Sequence, residues 1–217
     1  MNFLSHFYVH SRDSHEFNFG LLFPDFLGIV NRNYKLRQFQ SDYDGLSKEF
    51  EQGIQYHLRA DHYWHDCDFF LEKSELIKTV LERFSFNEKP YRPFFMTHVG
   101  LEILLDRHIV LNDYEVCNHM YDSLEAVPTD FIRGLFKDST EAERMLQFFA
   151  NFTAHRYVFS YANNEMFIYA LNRLFSRVKH PNLSFSSDKN RDKFVSQLDE
   201  VINEDYKSIL ETIRNEA

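Results

Sequence analysis

Apolar side chains recur along this chain at helical spacing, and no stretch alternates convincingly as a strand would. Leu76, Ile77, Val80, Leu81 and Phe84 share one face of a helix predicted to follow Ser74. Phe194, Leu198, Val201, Ile202, Ile209 and Ile213 form the stripe of a last helix. A helix is predicted from near Ser47 through Phe70, and another from Pro93, because proline is tolerated in a first turn. Others are predicted over 113–125 and 162–178, and Thr140 with Glu143 matches a capping box opening a long helix. Residues 1–10 are apolar and aromatic and should be buried. Residues 19–30 (FGLLFPDFLGIV) read as an apolar turn and helix holding one carboxylate, Asp25. The polar stretch 31–46 reads as a loop, while Asn87 to Pro93, His180-Pro181 and the SFSSD run break the pattern. The sum is an all-α, compact multi-helix chain of about eight helices. It reads as a single domain over 1–217, without repeats or low-complexity linkers.

Two polar interruptions of this pattern carry chemistry. His57 with Asp61, and His98 with Glu102, each place an imidazole and a carboxylate four residues apart, on one helix face. The first pair continues to His65 and Asp68, and the second to Asp106, between Leu101, Ile103, Leu104 and Leu105. A polar stripe inside an apolar helix needs partners when buried. On neighbouring helices the two pairs can ligate one divalent ion, Mn²⁺, Fe²⁺, Mg²⁺ or Zn²⁺. The plainer reading is two surface helix pairs, each contributing a few tenths of a kcal/mol. His65-Asp66 is an alternative ligand pair, although adjacent helical residues diverge by about 100°. His6 and Asp25 are also polar residues in apolar segments. From the residues alone, His6 reads as a hydrogen-bonded core histidine and Asp25 as a helix N-cap after Pro24.

Composition narrows the class. With 24 Phe and 12 Tyr against 6 Gly and 5 Pro, the chain suits a helical protein packed with aromatic rings. Its net charge of −9 argues against general nucleic-acid binding. Cys67 and Cys117 are too few for a disulfide scaffold or thiolate zinc site and fit a reducing compartment. MNFLSHFYVH has no positive leader, and no apolar run nears the roughly 20 residues that span a bilayer. A cytoplasmic protein is expected.

The start MNFLSH, the segment GLLFPDF (20–26) and the pattern Gly53-Ile54-x-x-His57-x-Arg59-x-Asp61 resemble the bacterial acyl carrier protein phosphodiesterases, also called acyl carrier protein hydrolases. Glu102, Arg107-His108, Tyr161 and the block 170–177 (ALNRLFSR) match further, so the resemblance covers most of the chain in blocks. More distantly the chain is similar to HD-type metal phosphohydrolases. The resemblance implies an all-helical HD-like fold. It also implies hydrolysis of the phosphodiester linking 4′-phosphopantetheine to a serine of holo acyl carrier protein, with Mn²⁺ preferred. Carried over, the metal ligands are His6, Asp25, His57, Asp61 and Glu102. Departures from the family are Leu21, where asparagine is common, and His65 and His98, where acidic residues stand.

In this reading Arg59 and Arg107 either bind phosphate oxygens or make ordinary helix ion pairs. His98 is either a further ligand or the acid that protonates the leaving serine oxygen. Acyl carrier proteins are acidic, so docking needs a locally basic surface. Residues 171–195 supply Arg173, Arg177, Lys179, Lys189, Arg191 and Lys193 against Asp188 and Asp192. Two other readings remain open. One is a related phosphohydrolase acting on a nucleotide or other phosphoester, and the other is a helical protein with a degenerate site.

Overall fold

Helical periodicity becomes helix nearly everywhere in the computed structural model, which describes residues 1–31, 36, 37, 39, 46–84, 93–179, 182–202 and 205–216. The α-helices are α1 (Phe3–His10), α2 (His15–Val30), α3 (Lys48–Asp66), α4 (Asp68–Arg83), α5 (Pro93–Asn112), α6 (Tyr114–Glu125), α7 (Thr129–Gly134), α8 (Ser139–His155), α9 (Asn164–Phe175), α10 (Asp188–Ile202) and α11 (Asp205–Glu216). Short 3₁₀ segments cover Tyr157–Ala162 and Ser176–Val178. Among the described residues there is no strand, and no helix is long and apolar enough to cross a membrane.

Several boundaries differ from the sequence pattern, each for a local reason. The helix expected through Phe70 stops at Asp66, because Cys67 turns to extended backbone (φ −81°, ψ 149°). Helix α4 therefore starts at Asp68, and Ser74 lies inside it. The last apolar stripe is divided between α10 and α11, with Ile209 and Ile213 on the second. Helix α8 is capped by Asp138, whose carboxylate accepts from the Thr140 amide at 2.7 Å. Glu143 turns instead toward Arg133. Asp25 is no N-cap: α2 is continuous from His15, with the Ser14 hydroxyl accepting from the Phe17 amide. Pro24 sits within that helix and cannot donate to the Gly20 carbonyl. The expected loop at 31–46, the breaker run at 87–93 and His180-Pro181 fall largely outside the described residues.

The core is built from phenylalanine. Phe26 packs edge-on to Phe152 at 5.0 Å, and Phe23 edge-on to Phe50 at 5.0 Å, joining α2 to α8 and α3. The crossing of α2 and α3 is closer than side chains permit. A Cβ on Gly20 would lie 2.2 Å from the Phe50 carbonyl oxygen. One on Gly53 would lie 2.2 Å from the Phe17 oxygen and 2.6 Å from the Leu21 nitrogen. Only glycine lets the two backbones approach so closely. One turn beyond Gly53 comes His57, which the crossing sets against the backbone of α2.

Candidate metal centre

Four helices bring the polar stripes together. His57 is buried, and its Nδ1 lies 2.9 Å from the Leu21 carbonyl oxygen. A carbonyl only accepts, so Nδ1 carries the hydrogen and Nε2 is turned toward the carboxylates, 3.4 Å from Asp61 Oδ2. Backbone tethering of the far ring nitrogen is how metal-binding histidines are commonly held. His6, on α1, is fully buried and stacks on His57 with centroids 3.8 Å apart. Its Nε2 lies 3.1 Å from Asp61 Oδ1 but out of alignment, so neither ring nitrogen has a hydrogen-bond partner. Asp25, on α2, is half-buried, and its Oδ2 is shielded from water and also unpartnered.

The charges fit a cation site. Burial and the neighbouring His57 push the His6 imidazole down to about 3, so it stays neutral and keeps a lone pair. Burial pushes the Asp25 carboxyl up to about 7, with Asp61 and Glu102 adding to the rise and His57 and the Met1 ammonium opposing it. For Asp61, burial is overcome by the Met1 ammonium and by the hydrogen bond from His57, which hold the carboxyl far below the usual range. His57 is raised: burial opposes the charged form, but Asp61 and Asp25 outweigh it.

A second group adjoins the first. His98 Nε2 lies 3.0 Å from Glu102 Oε1 and 3.0 Å from His65 Nε2. His65 Nε2 is 3.6 Å from the same Glu102 oxygen. The ammonium of Met1 joins the two groups, 2.6 Å from Asp61 Oδ1 and 3.0 Å from Glu102 Oε1. Burial disfavours that charge, yet Glu102 and Asp61 prevail and raise the ammonium to about 11. A positive group is therefore already lodged between two carboxylates.

Asp106, the last member of the second stripe, does not face the cluster. Its Oδ2 accepts from the Leu4 amide at 3.1 Å and the Asn2 side chain at 2.8 Å, and its Oδ1 from the Ser5 amide at 2.8 Å. Asp106 thus satisfies the first amides of α1 and fixes the helix that carries His6 and follows directly on Met1 and Asn2. Replacing Asp106 by Ala strands these buried donors. Chemical denaturation should show a loss of about 2–3 kcal/mol.

His6, Asp25, His57, Asp61, His98 and Glu102 are therefore brought together, and His65 with them. Two expected site residues are not. The Arg107 guanidinium is buried against Asp199 (2.9 Å from Nε), Asn164 (2.8 Å from Nη2) and the Tyr161 carbonyl, bracing α5 against α9, α10 and the 3₁₀ turn. Arg59 is exposed and stacks 4.1 Å from the Tyr56 ring centroid. Asp68, on α4, is exposed, and Asp66 pairs with His62 on the outer face, so neither joins His65. Of the basic segment, Arg173, Lys179, Lys189 and Lys193 are exposed, while Arg191 is paired with Asp188 and Asp192.

The donor set fits a divalent metal ion on this geometry. The ligand atoms of His6, His57 and Asp61 lie within 4.8 Å of one another, as do those of His65, His98 and Glu102. Ligand distances near 2.0–2.2 Å to a common ion, typical of such donors, require only small side-chain movements from there. The one lone pair of neutral His6 and the Oδ2 of Asp25 are buried acceptors that such an ion would satisfy. In comparison with known proteins, the chain matches no family model, no curated protein and no solved structure.

Proposed function

We propose that this chain is a metal-dependent phosphodiesterase with an HD-like helical fold, acting on the phosphopantetheine linkage of holo acyl carrier protein. The observation that carries the metal centre is the convergence of His6, His57 and Asp61, with the shielded Asp25 carboxyl electrostatically coupled to His57 and Asp61. The substrate rests on the resemblance of MNFLSH, GLLFPDF and Gly53-Ile54-x-x-His57-x-Arg59-x-Asp61 to the carrier protein phosphodiesterases. His6, His57, Asp61 and Asp25 would hold the ion, with Mn²⁺ preferred; Glu102, carried over to the same ligand set, lies instead with His65 and His98. When bound, such an ion supplies an activated water and neutralises charge on phosphoryl oxygens.

The chain's own residues do the rest. Leu21 orients His57, Asp106 seats the helix bearing His6, and the phenylalanine core walls off the inner side. The phosphodiester approaches from the side where Asp61 and His98 meet solvent, with side chains 28% and 26% exposed, because His6 and His57 are closed off. Exposed Arg173, Lys179, Lys189 and Lys193 offer an acidic carrier protein a basic docking surface.

The test is the mass of holo acyl carrier protein incubated with this protein and Mn²⁺. Loss of the phosphopantetheine mass, abolished by chelation, is expected. Intact carrier protein in the presence of metal-loaded enzyme would rule out this substrate. A panel of nucleotides and simple phosphodiesters would then identify the class hydrolysed.

A further inference from the structure

We propose that His65, His98 and Glu102 form a second divalent-metal site, open to solvent, beside the His6, His57 and Asp61 cluster. The proposal extends the metal-centre reading above and can fail without it.

The geometry is hard to satisfy with protons. The Nε2 atoms of His65 and His98 face each other at 3.0 Å, and both approach the same Glu102 oxygen, at 3.6 and 3.0 Å. With one hydrogen on Nε2 of His98 and none on Nε2 of His65, the His65 lone pair is left 3.6 Å from the Glu102 oxygen with no hydrogen between them. With hydrogens on both rings, two N–H groups meet head to head. Three ligand atoms within 4.8 Å of one another suit a cation that binds all three at once, with the Glu102 oxygen already turned to a positive group, the Met1 ammonium. Two imidazoles and one carboxylate are the donor set of zinc hydrolase sites, which keep a fourth position free for water or substrate.

Accessibility is consistent with such an open position. The His65 side chain is 36% exposed and that of His98 26%, whereas Glu102, on the inner side, is 14% exposed. Aromatic rings surround the opening without closing it. Phe70 stands edge-on to both imidazoles, 5.3 Å from His65 and 5.1 Å from His98, and Phe94, on the outer side of His98, is largely exposed. The nitrogen-rich set favours Zn²⁺ or Fe²⁺ over Mg²⁺. The two groups are neighbours, because one ammonium lies within 3.0 Å of both Asp61 and Glu102. Adjacent divalent ions are a recurrent arrangement in phosphoester hydrolysis, with one ion on the attacking and one on the leaving oxygen. In such a centre His98 is a ligand and not the acid for the leaving group.

The experiment is equilibrium dialysis of the metal-free protein against Zn²⁺, followed by elemental analysis. Wild type should hold two ions per chain. The variant His65→Gln/His98→Gln should hold one, with the second binding step weakened at least about 100-fold. The variant His6→Gln/His57→Gln should also hold one. The single variant His98→Gln, compared by circular dichroism and melting temperature, guards against loss of fold. A wild type with one ion, kept when His65 and His98 are replaced, would overturn this site and leave the first intact. One ion lost on replacing His65 and His98 but kept without His6 and His57 would sustain this site and overturn the first. Absence of any bound ion would overturn both.

Discussion

Replacing Gly53 by Ala should destabilise the protein by about 3 kcal/mol or more, lowering the melting temperature by roughly 6–12 °C. The added methyl would sit 2.2 Å from the Phe17 oxygen and 2.6 Å from the Leu21 nitrogen, both main-chain atoms. A flexible side chain can swing aside, but here two helices must separate. That separation draws His57 away from the Leu21 carbonyl it now meets at 2.9 Å, so metal affinity should fall along with stability. Gly28 is the internal control. It is exposed on α2, the other helix of the crossing, and its added Cβ meets nothing within 4 Å. Gly28→Ala should therefore stabilise by about 0.5–1 kcal/mol through helix propensity. Thermal melts of the two variants should move in opposite directions. Equal small shifts would show that the close crossing does not hold in solution.

On the proposed metal centre, replacing Asp61 by Asn should remove most metal binding and, with it, the proposed hydrolysis. Asp61 lies within 3.4 Å of His6, His57 and the Met1 ammonium, so no other carboxylate can take its place without moving a helix. A weakening of at least about 100-fold in metal affinity is expected, more than the roughly 10–100-fold that follows when only a ligand's hydrogen-bond partner is lost. Asp61→Asn also deprives the buried ammonium of one of its two counter-charges, which should cost about 2–3 kcal/mol. A cleaner companion is His6→Gln. His6 is held neutral and has no hydrogen-bond partner, so its replacement should leave the fold nearly as stable while removing the same metal. Metal content measured on both variants separates ligation from folding. Retention of wild-type affinity in either would refute the ligand assignment.

Helical periodicity was enough to read the class of this chain, because amphipathic stripes such as that of α4 repeat at the helical period whatever their neighbours. It was not enough to place the breaks. Cys67 has no glycine or proline beside it, and its extended backbone is set by how α4 must turn back. The His57/Asp61 and His98/Glu102 pairs were legible from spacing. That they meet is tertiary information, supplied by the Gly20 and Gly53 crossing and by the seating of α1. Asp106 belonged to the same polar stripe as Glu102, and spacing alone gave no way to see that it serves the amides of Leu4 and Ser5 instead. A carboxylate flanked by Leu104, Leu105 and Ile109 was the available signal, since such a group must find donors. Arg107 carried a comparable signal, a cation in an apolar run, and its partner proved to be the distant Asp199. The Met1 ammonium was invisible to any argument from side-chain pattern.

The unpartnered atoms of His6 and Asp25 have a consequence for how much of this protein a cell can keep. Buried polar atoms without partners weaken the folded state, and whatever satisfies them strengthens it by mass action. A ligand at 100 times its dissociation constant adds about 2.7 kcal/mol, a substantial part of the stability of an ordinary domain. The folded population, and so exposure to proteolysis, would follow ligand supply. With the proposed metal ion as that ligand, abundance of this chain would track the pool of the ion even when synthesis is constant.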